Sequence, residues 1–253
     1  PVYEFTAALC QGTEIKVTQL ITESISCLHD YTLQVSQMRA LESAETIVIS
    51  GAGLEDFLEK DLLNEKTIIN ASENISLIYP ANHSEHHHEV DNHIWLSPTN
   101  ASIMAQNIFE KLCVIYPENA NVFKSNLHAL QEKLNELFNY GQKELKNLSC
   151  REIITFHDGF SYMAEAFDLT IIHAIEEESG SEASAAELIS ITRLVNENSL
   201  PAIFVEANGS VSAAEIIGAE TGAKIYTLDM AMSERNYLDA MKHNIDNLKV
   251  ALG

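Results

Sequence analysis

Short runs rich in β-branched residues recur along the chain: "EIKVTQLI" (14–21), "ETIVIS" (45–50), "KTIINA" (66–71), "EIITFH" (152–157), "LTIIHAI" (169–175), "AIFVEA" (202–207) and "KIYTLD" (224–229). Each has the length and composition of a strand. Between many of them lie stretches whose apolar positions repeat at helical spacing, among them "SQMRALESA", "NASIMAQNIFEKLCVIY", "SAAELISITRLVNEN" and "NYLDAMKHNIDNLKVAL". Alternation of this kind predicts an α/β protein with mainly parallel sheets flanked by helices. Ser184 followed by Glu187 has capping-box spacing and marks a helix start.

One segment breaks the alternation. From Pro117 to Leu148 there is no strand signal, while Phe123, Leu127, Leu130, Leu134, Leu137, Leu145 and Leu148 recur at helical intervals. Pro117 suits a first helical position. A helix of that length spans roughly 45 Å at 1.5 Å per residue, more than a small sheet needs for cover. It therefore reads as a rigid connector, with an α/β lobe over 1–116, the connecting helix over 117–148 and a second α/β lobe over 149–253.

Composition narrows the function. A chain of 253 residues with 46% hydrophobic content can bury a real core. Its 37 acidic residues outweigh 15 basic ones, for a formal net charge of -22, and no Lys or Arg cluster interrupts the excess. That argues against a nucleic-acid partner, whose phosphates need cationic contacts. Cys10, Cys27, Cys113 and Cys150 are too widely spaced for a zinc knuckle or a redox pair. No apolar stretch approaches the roughly 20 residues needed to cross a bilayer. Nor does a basic and then apolar leader open the chain, which leaves room for a signal or anchor removed before Pro1.

The candidate chemistry lies at strand ends. Ligand-binding residues of open parallel sheets collect where strands lead into loops. His157 ends "EIITFH", Asp229 ends "KIYTLD" and Glu206 lies near the end of "AIFVEA", all in the second half. His29 follows the first run after a short loop, and His93 precedes the helix beginning near Asn100, both in the first half. Two ligands from each lobe would meet in a cleft. Three imidazoles and one carboxylate suit Zn²⁺, with Mn²⁺ possible because the carboxylate is a hard donor. Glu206 reads as an acceptor behind a ligand, or as part of the cleft wall. His128, His173 and His243 fall on helical or strand patterns and read as structural, and "EEESGSE" (176–182) reads as a solvated loop.

The stretches "CLHDYTLQVSQMRALESAETIVISGAGLEDFLEK" (27–60), "DNHIWLSPTNA" (91–101), "TFHDGFSYMAEAFDL" (155–169), "GSEASAAEL" (180–188), "IFVEANGSVSA" (203–213) and "GAKIYTLD" (222–229) cover most of the chain in order. In them the chain resembles the metal-binding solute-binding proteins of zinc and manganese ABC importers, built from two α/β lobes bridged by a long helix. The resemblance implies that His29, His93 and His157 occupy the principal metal positions and Asp229 the carboxylate position. It implies a zinc type, since manganese members usually carry Glu where His157 stands. The family commonly has Pro soon after its first ligand, where this chain reads "HDYTLQVSQ". Its first strand is expected upstream of Pro1.

Zinc members often carry a histidine-rich loop. His83, His86, His87 and His88 lie in a polar segment between Pro80 and His93, and they read as a weaker, secondary collector of metal, with His93 the ligand just beyond it. The implied function is high-affinity capture of zinc outside the cytoplasm and delivery to an ABC permease, by a periplasmic or surface-anchored monomer without turnover. Manganese or iron binding, and a surface adhesin that uses metal for folding, are the alternatives. A zinc hydrolase would need an open coordination position and a general base. Four protein ligands leave no such position, and no HExxH motif is present.

Overall fold

The computed structural model describes residues 1–23, 31–58, 63–79, 90–175, 184–207 and 209–253. Among them the first half holds helices α1 (Val2–Leu9), α2 (Val35–Ser43) and α3 (Pro98–Ile115) and strands β1 (Thr46–Ile49) and β2 (Thr67–Asn70). Helix α4 (Ala120–Glu144) follows. The second half holds β3 (Glu152–Thr155), α5 (Ser161–Ala166), β4 (Thr170–Ala174), α6 (Ala185–Glu197), β5 (Ala202–Glu206), α7 (Ser212–Thr221), β6 (Lys224–Leu228) and α8 (Tyr237–Leu252).

Both sheets are parallel throughout. β1 pairs with β2 in register Thr46 to Thr67, and the second sheet runs β4-β3-β5-β6. β5 is buried along its whole length, as a strand covered on both faces must be. The expected architecture of two parallel α/β lobes with a long helix between them is therefore present. Ser184 caps α6 as its spacing predicts, its hydroxyl accepting from Glu187 N–H at 3.3 Å while its own N–H donates to the Glu187 carboxylate at 2.7 Å.

Two expectations are corrected. The run at 14–21 is extended but joins no sheet among the described residues. Ile15 and Val17 turn inward against the core while Glu14, Lys16 and Thr18 face solvent, so the alternation reports a segment covered on one face. This segment and β1 both line a cavity of about 1470 Å³. The long helix is also shorter than its pattern. Pro117–Asn119 form a 3₁₀ turn, and the α-helix ends at Glu144. The Arg151 guanidinium collects the carbonyls of Leu145 and Lys146 at 3.0 Å each, and those of Phe167 and Asp168 at 3.2 and 2.9 Å. One side chain thus satisfies the open carbonyls beyond two helices.

Helix α4 packs on α1 and α3 from the first half and on α8 from the second. Phe123, Leu127, Leu134, Leu137 and Leu145 are buried in one core cluster shared by both halves, with Leu130 and Leu148 at its margin. The apolar stripe read from the sequence is the seam that joins the halves. Among the described residues no helix is long and apolar enough to cross a membrane.

Candidate metal centre

Strands β3, β5 and β6 lie side by side, so their carboxyl ends bring His157, Glu206 and Asp229 to one edge of the second sheet. His93 comes to the same place from the first half. It precedes the 3₁₀ turn Ile94–Leu96, and α3 then starts under a cap from Ser97, whose hydroxyl accepts from Asn100 N–H. His93 is 3% exposed, and the Nε2 atoms of His93 and His157 stand 3.4 Å apart. Their rings meet edge to face, with centroids 5.1 Å apart and planes at 84°.

The other nitrogen of each ring fixes what Nε2 offers. His93 Nδ1 is 3.0 Å from Asp91 Oδ1, which also accepts from the His93 N–H at 2.9 Å. With its proton on Nδ1, His93 presents a lone pair at Nε2. His157 Nδ1 faces Glu206 Oε2 at 3.8 Å, which places Glu206 behind a ring rather than at its front. Two zinc ligands at about 2.0–2.1 Å in tetrahedral array have nitrogens about 3.3–3.4 Å apart. The observed separation of 3.4 Å matches one edge of such an array.

Around the pair the halves are stitched together. Asp91 Oδ2 accepts from Ser161 N–H at the start of α5, and Tyr162 Oη accepts from Ile78 N–H. Trp95 Nε1 donates to the Met230 carbonyl, while the Trp95 carbonyl accepts from Tyr237 Oη. Burial opposes the Asp91 charge. The His93 ring, the His93 N–H and Ser161 together outweigh that cost and hold the carboxyl below its ordinary value. Gly159 is required by close approach: a Cβ there would lie 2.6 Å from His93 Nδ1, 2.6 Å from the Met230 methyl and 2.8 Å from His157 Cδ2.

Asp229 stands differently. It is 1% exposed, and its oxygens are engaged by Ala231 N–H, the Ser233 hydroxyl and Arg235. Among the described residues it does not join the two imidazoles in a cluster of three donors around one point. His29 lies outside the described residues, as do His83, His86, His87, His88, Cys27 and the 176–182 run. Of the histidines read as structural, His243 is: its Nε2 lies 3.2 Å from Thr227 Oγ1 and 3.1 Å from Asn247 Nδ2. His173 is half-buried on β4, and His128 sits on the surface of α4 beside Glu132. Sequence reading missed Asp91 and Gly159. The only signal for the first was a carboxylate two residues before a candidate ligand, a spacing too common to single out.

Two parallel α/β sheets joined by a long helix, with an imidazole from the first half meeting one at the carboxyl end of the second sheet, fit a solute-binding protein of the metal-binding class. The chain belongs to the ZnuA family, described as zinc-uptake complex component A, periplasmic, whose model matches residues 1–251. It is 28% identical over 270 residues to the zinc-binding lipoprotein AdcA of Streptococcus pneumoniae strain R6, covering 98% of this chain and 54% of that protein. The chain thus spans about half the length of the curated relatives it first matches. Among solved structures, a zinc-bound ZnuA deletion mutant superposes with a TM-score of 0.86 at 28% identity, over 100% of this chain and 95% of that one. Zn(II)-bound AdcA from Streptococcus pneumoniae superposes with a TM-score of 0.85 at 27% identity, over 100% of this chain and 56% of that one.

Proposed function

We propose that this protein captures zinc outside the cytoplasm and delivers it to an ABC-type permease, without chemical turnover. The ion's ligands are His29, His93, His157 and Asp229, set between a lobe over 1–116 and a lobe over 149–253, and the protein acts as a monomer, soluble in the periplasm or anchored at the surface. The observation that carries this reading is the 3.4 Å approach of two Nε2 atoms whose rings are braced from behind by Asp91 and Glu206. The zinc bound by similar proteins of known structure supports the choice of ion.

Three nitrogen donors and one oxygen place zinc well above manganese in the divalent order. Competition titration of zinc against manganese tests this. Zinc should win clearly in the parent protein, and His157→Glu, which replaces a nitrogen with a hard oxygen donor, should narrow the gap. A parent protein that prefers manganese would overturn the assignment. Neutral imidazoles are needed as donors, so zinc affinity should fall on acidification.

Asp91 is a positioning residue for His93. Loss of a carboxylate behind a metal-bound histidine typically weakens metal binding about 10- to 100-fold. Asp91→Asn keeps the shape but removes the charge that fixes the imidazole proton, and a zinc titration of that variant should show a loss in this range. Affinity equal to the parent's would mean that the His93 ring is held by its packing alone.

A further inference from the structure

Asp229 is pinned at the end of β6 by its main chain: its N–H donates to Asn244 Oδ1 and its carbonyl accepts from Asn244 Nδ2, each at 2.7 Å. With the backbone fixed, the partners of the carboxylate decide what its oxygens can still do. Oδ1 accepts from Ala231 N–H at 2.9 Å. Oδ2 accepts from the Ser233 hydroxyl at 2.6 Å and from Arg235 Nη1 at 3.0 Å. Each carboxylate oxygen has about two acceptor sites. Oδ2 is therefore full, and Oδ1 keeps one site.

The three donors are not equivalent. Ala231 and Ser233 belong to the tight turn that follows Asp229, Ala231 with a φ of 55°, and their groups are carried along with the carboxylate. Arg235 reaches the same carboxylate with a side chain that remains 46% exposed, and it brings a full positive charge. A half-exposed guanidinium can swing back into water, so it leaves the pair at lower cost than a partner buried beside the carboxylate would, above all when an incoming cation takes its place. It is a movable competitor set against a fixed, buried anion.

We propose that Arg235 limits how tightly and how long the centre holds its ion: the guanidinium competes with the divalent ion for Asp229 Oδ2 and repels an ion seated at the remaining Oδ1 site. This rests on the reading of Asp229 as a ligand in the proposed zinc centre. Even at the dielectric of bulk water, a unit positive charge about 6 Å from a divalent ion changes its affinity about tenfold. A protein that must hand its ion onward gains a faster release from such a charge, and the histidine pair is left untouched.

The test compares Arg235→Gln, Arg235→Lys and Asp229→Asn with the parent. Zinc affinity is measured by competition with a fluorescent chelator, release by stopped-flow mixing with excess chelator, and thermal melting without added metal. Arg235→Gln should bind zinc about tenfold more tightly through slower release, yet melt slightly lower without metal because a buried carboxylate has lost its counter-charge. Arg235→Lys keeps the charge and should stay near the parent in affinity and release. Affinity in Arg235→Gln equal to or weaker than the parent's overturns the inference, provided Asp229→Asn binds more weakly. If Asp229→Asn binds zinc as the parent does, Asp229 is not a ligand, and the assignment of the fourth donor falls together with the role of Arg235.

Discussion

His93→Ala should weaken zinc binding by about 100- to 1000-fold, while deletion of residues 82–89, with four histidines of its own, should leave tight binding nearly unchanged. A complete four-ligand zinc site is worth about 10–16 kcal/mol, so one donor in four carries about 2.5–4 kcal/mol. The loss at His93 should reach that size because Asp91, Trp95 and Gly159 hold the ring in place. The histidine run should instead account for weaker, additional binding. Tethered to the same chain, its imidazoles would raise the local metal concentration, much as linked sites raise effective concentration. Calorimetric titration of both variants beside the parent separates the two populations. A loop deletion that abolishes tight binding, paired with an intact His93→Ala, would move the centre to the run.

Zinc should also raise the melting temperature. An ion that binds only the folded protein at 100 times its dissociation constant adds about 2.7 kcal/mol. For a chain of this size each kcal/mol shifts melting by about 2–4 °C, which gives a rise of about 5–10 °C. The gain should be as large as it is because the centre joins the halves: His93 arrives from the first and His157 from the second, so unfolding either half destroys the site. Scanning calorimetry with added zinc and with a chelator measures it. Identical melting in the two conditions would show that no ion is held by folded structure.

The strands of the sheets were legible because parallel strands buried between helices need β-branched apolar runs, as "AIFVEA" illustrates. The same signal at 14–21 meets no partner strand among the described residues. A period of two says that one face is covered, and Ile15 and Val17 are indeed covered, but it cannot say whether a neighbouring backbone lies within ladder distance. The end of α4 was hidden for a related reason. Leu145 and Leu148 continue the helical period, whereas the carbonyls just past the helix end are taken up by an arginine several residues further on.

At the site, the strand-end rule placed His157, Glu206 and Asp229 on one edge, which topology alone dictates once β3, β5 and β6 are neighbours. Bracing was not legible. That Asp91 holds the back of His93 and also receives an N–H from α5 depends on the fold returning a segment to within 3.2 Å of it some 70 positions later. The grip of Arg235 on Asp229 is equally invisible: the sequence marks Asp229 as a strand-end carboxylate, but nothing marks Arg235, six positions on, as its partner.

The central claim is that the ion sits between the lobes, on the facing nitrogens of His93 and His157. Anomalous diffraction at the zinc edge from crystals grown with one equivalent of zinc tests it most directly. The account predicts one strong peak about 2.0–2.1 Å from the Nε2 atoms of both histidines. A strong peak within the 83–88 run, with none between those two rings, would contradict it.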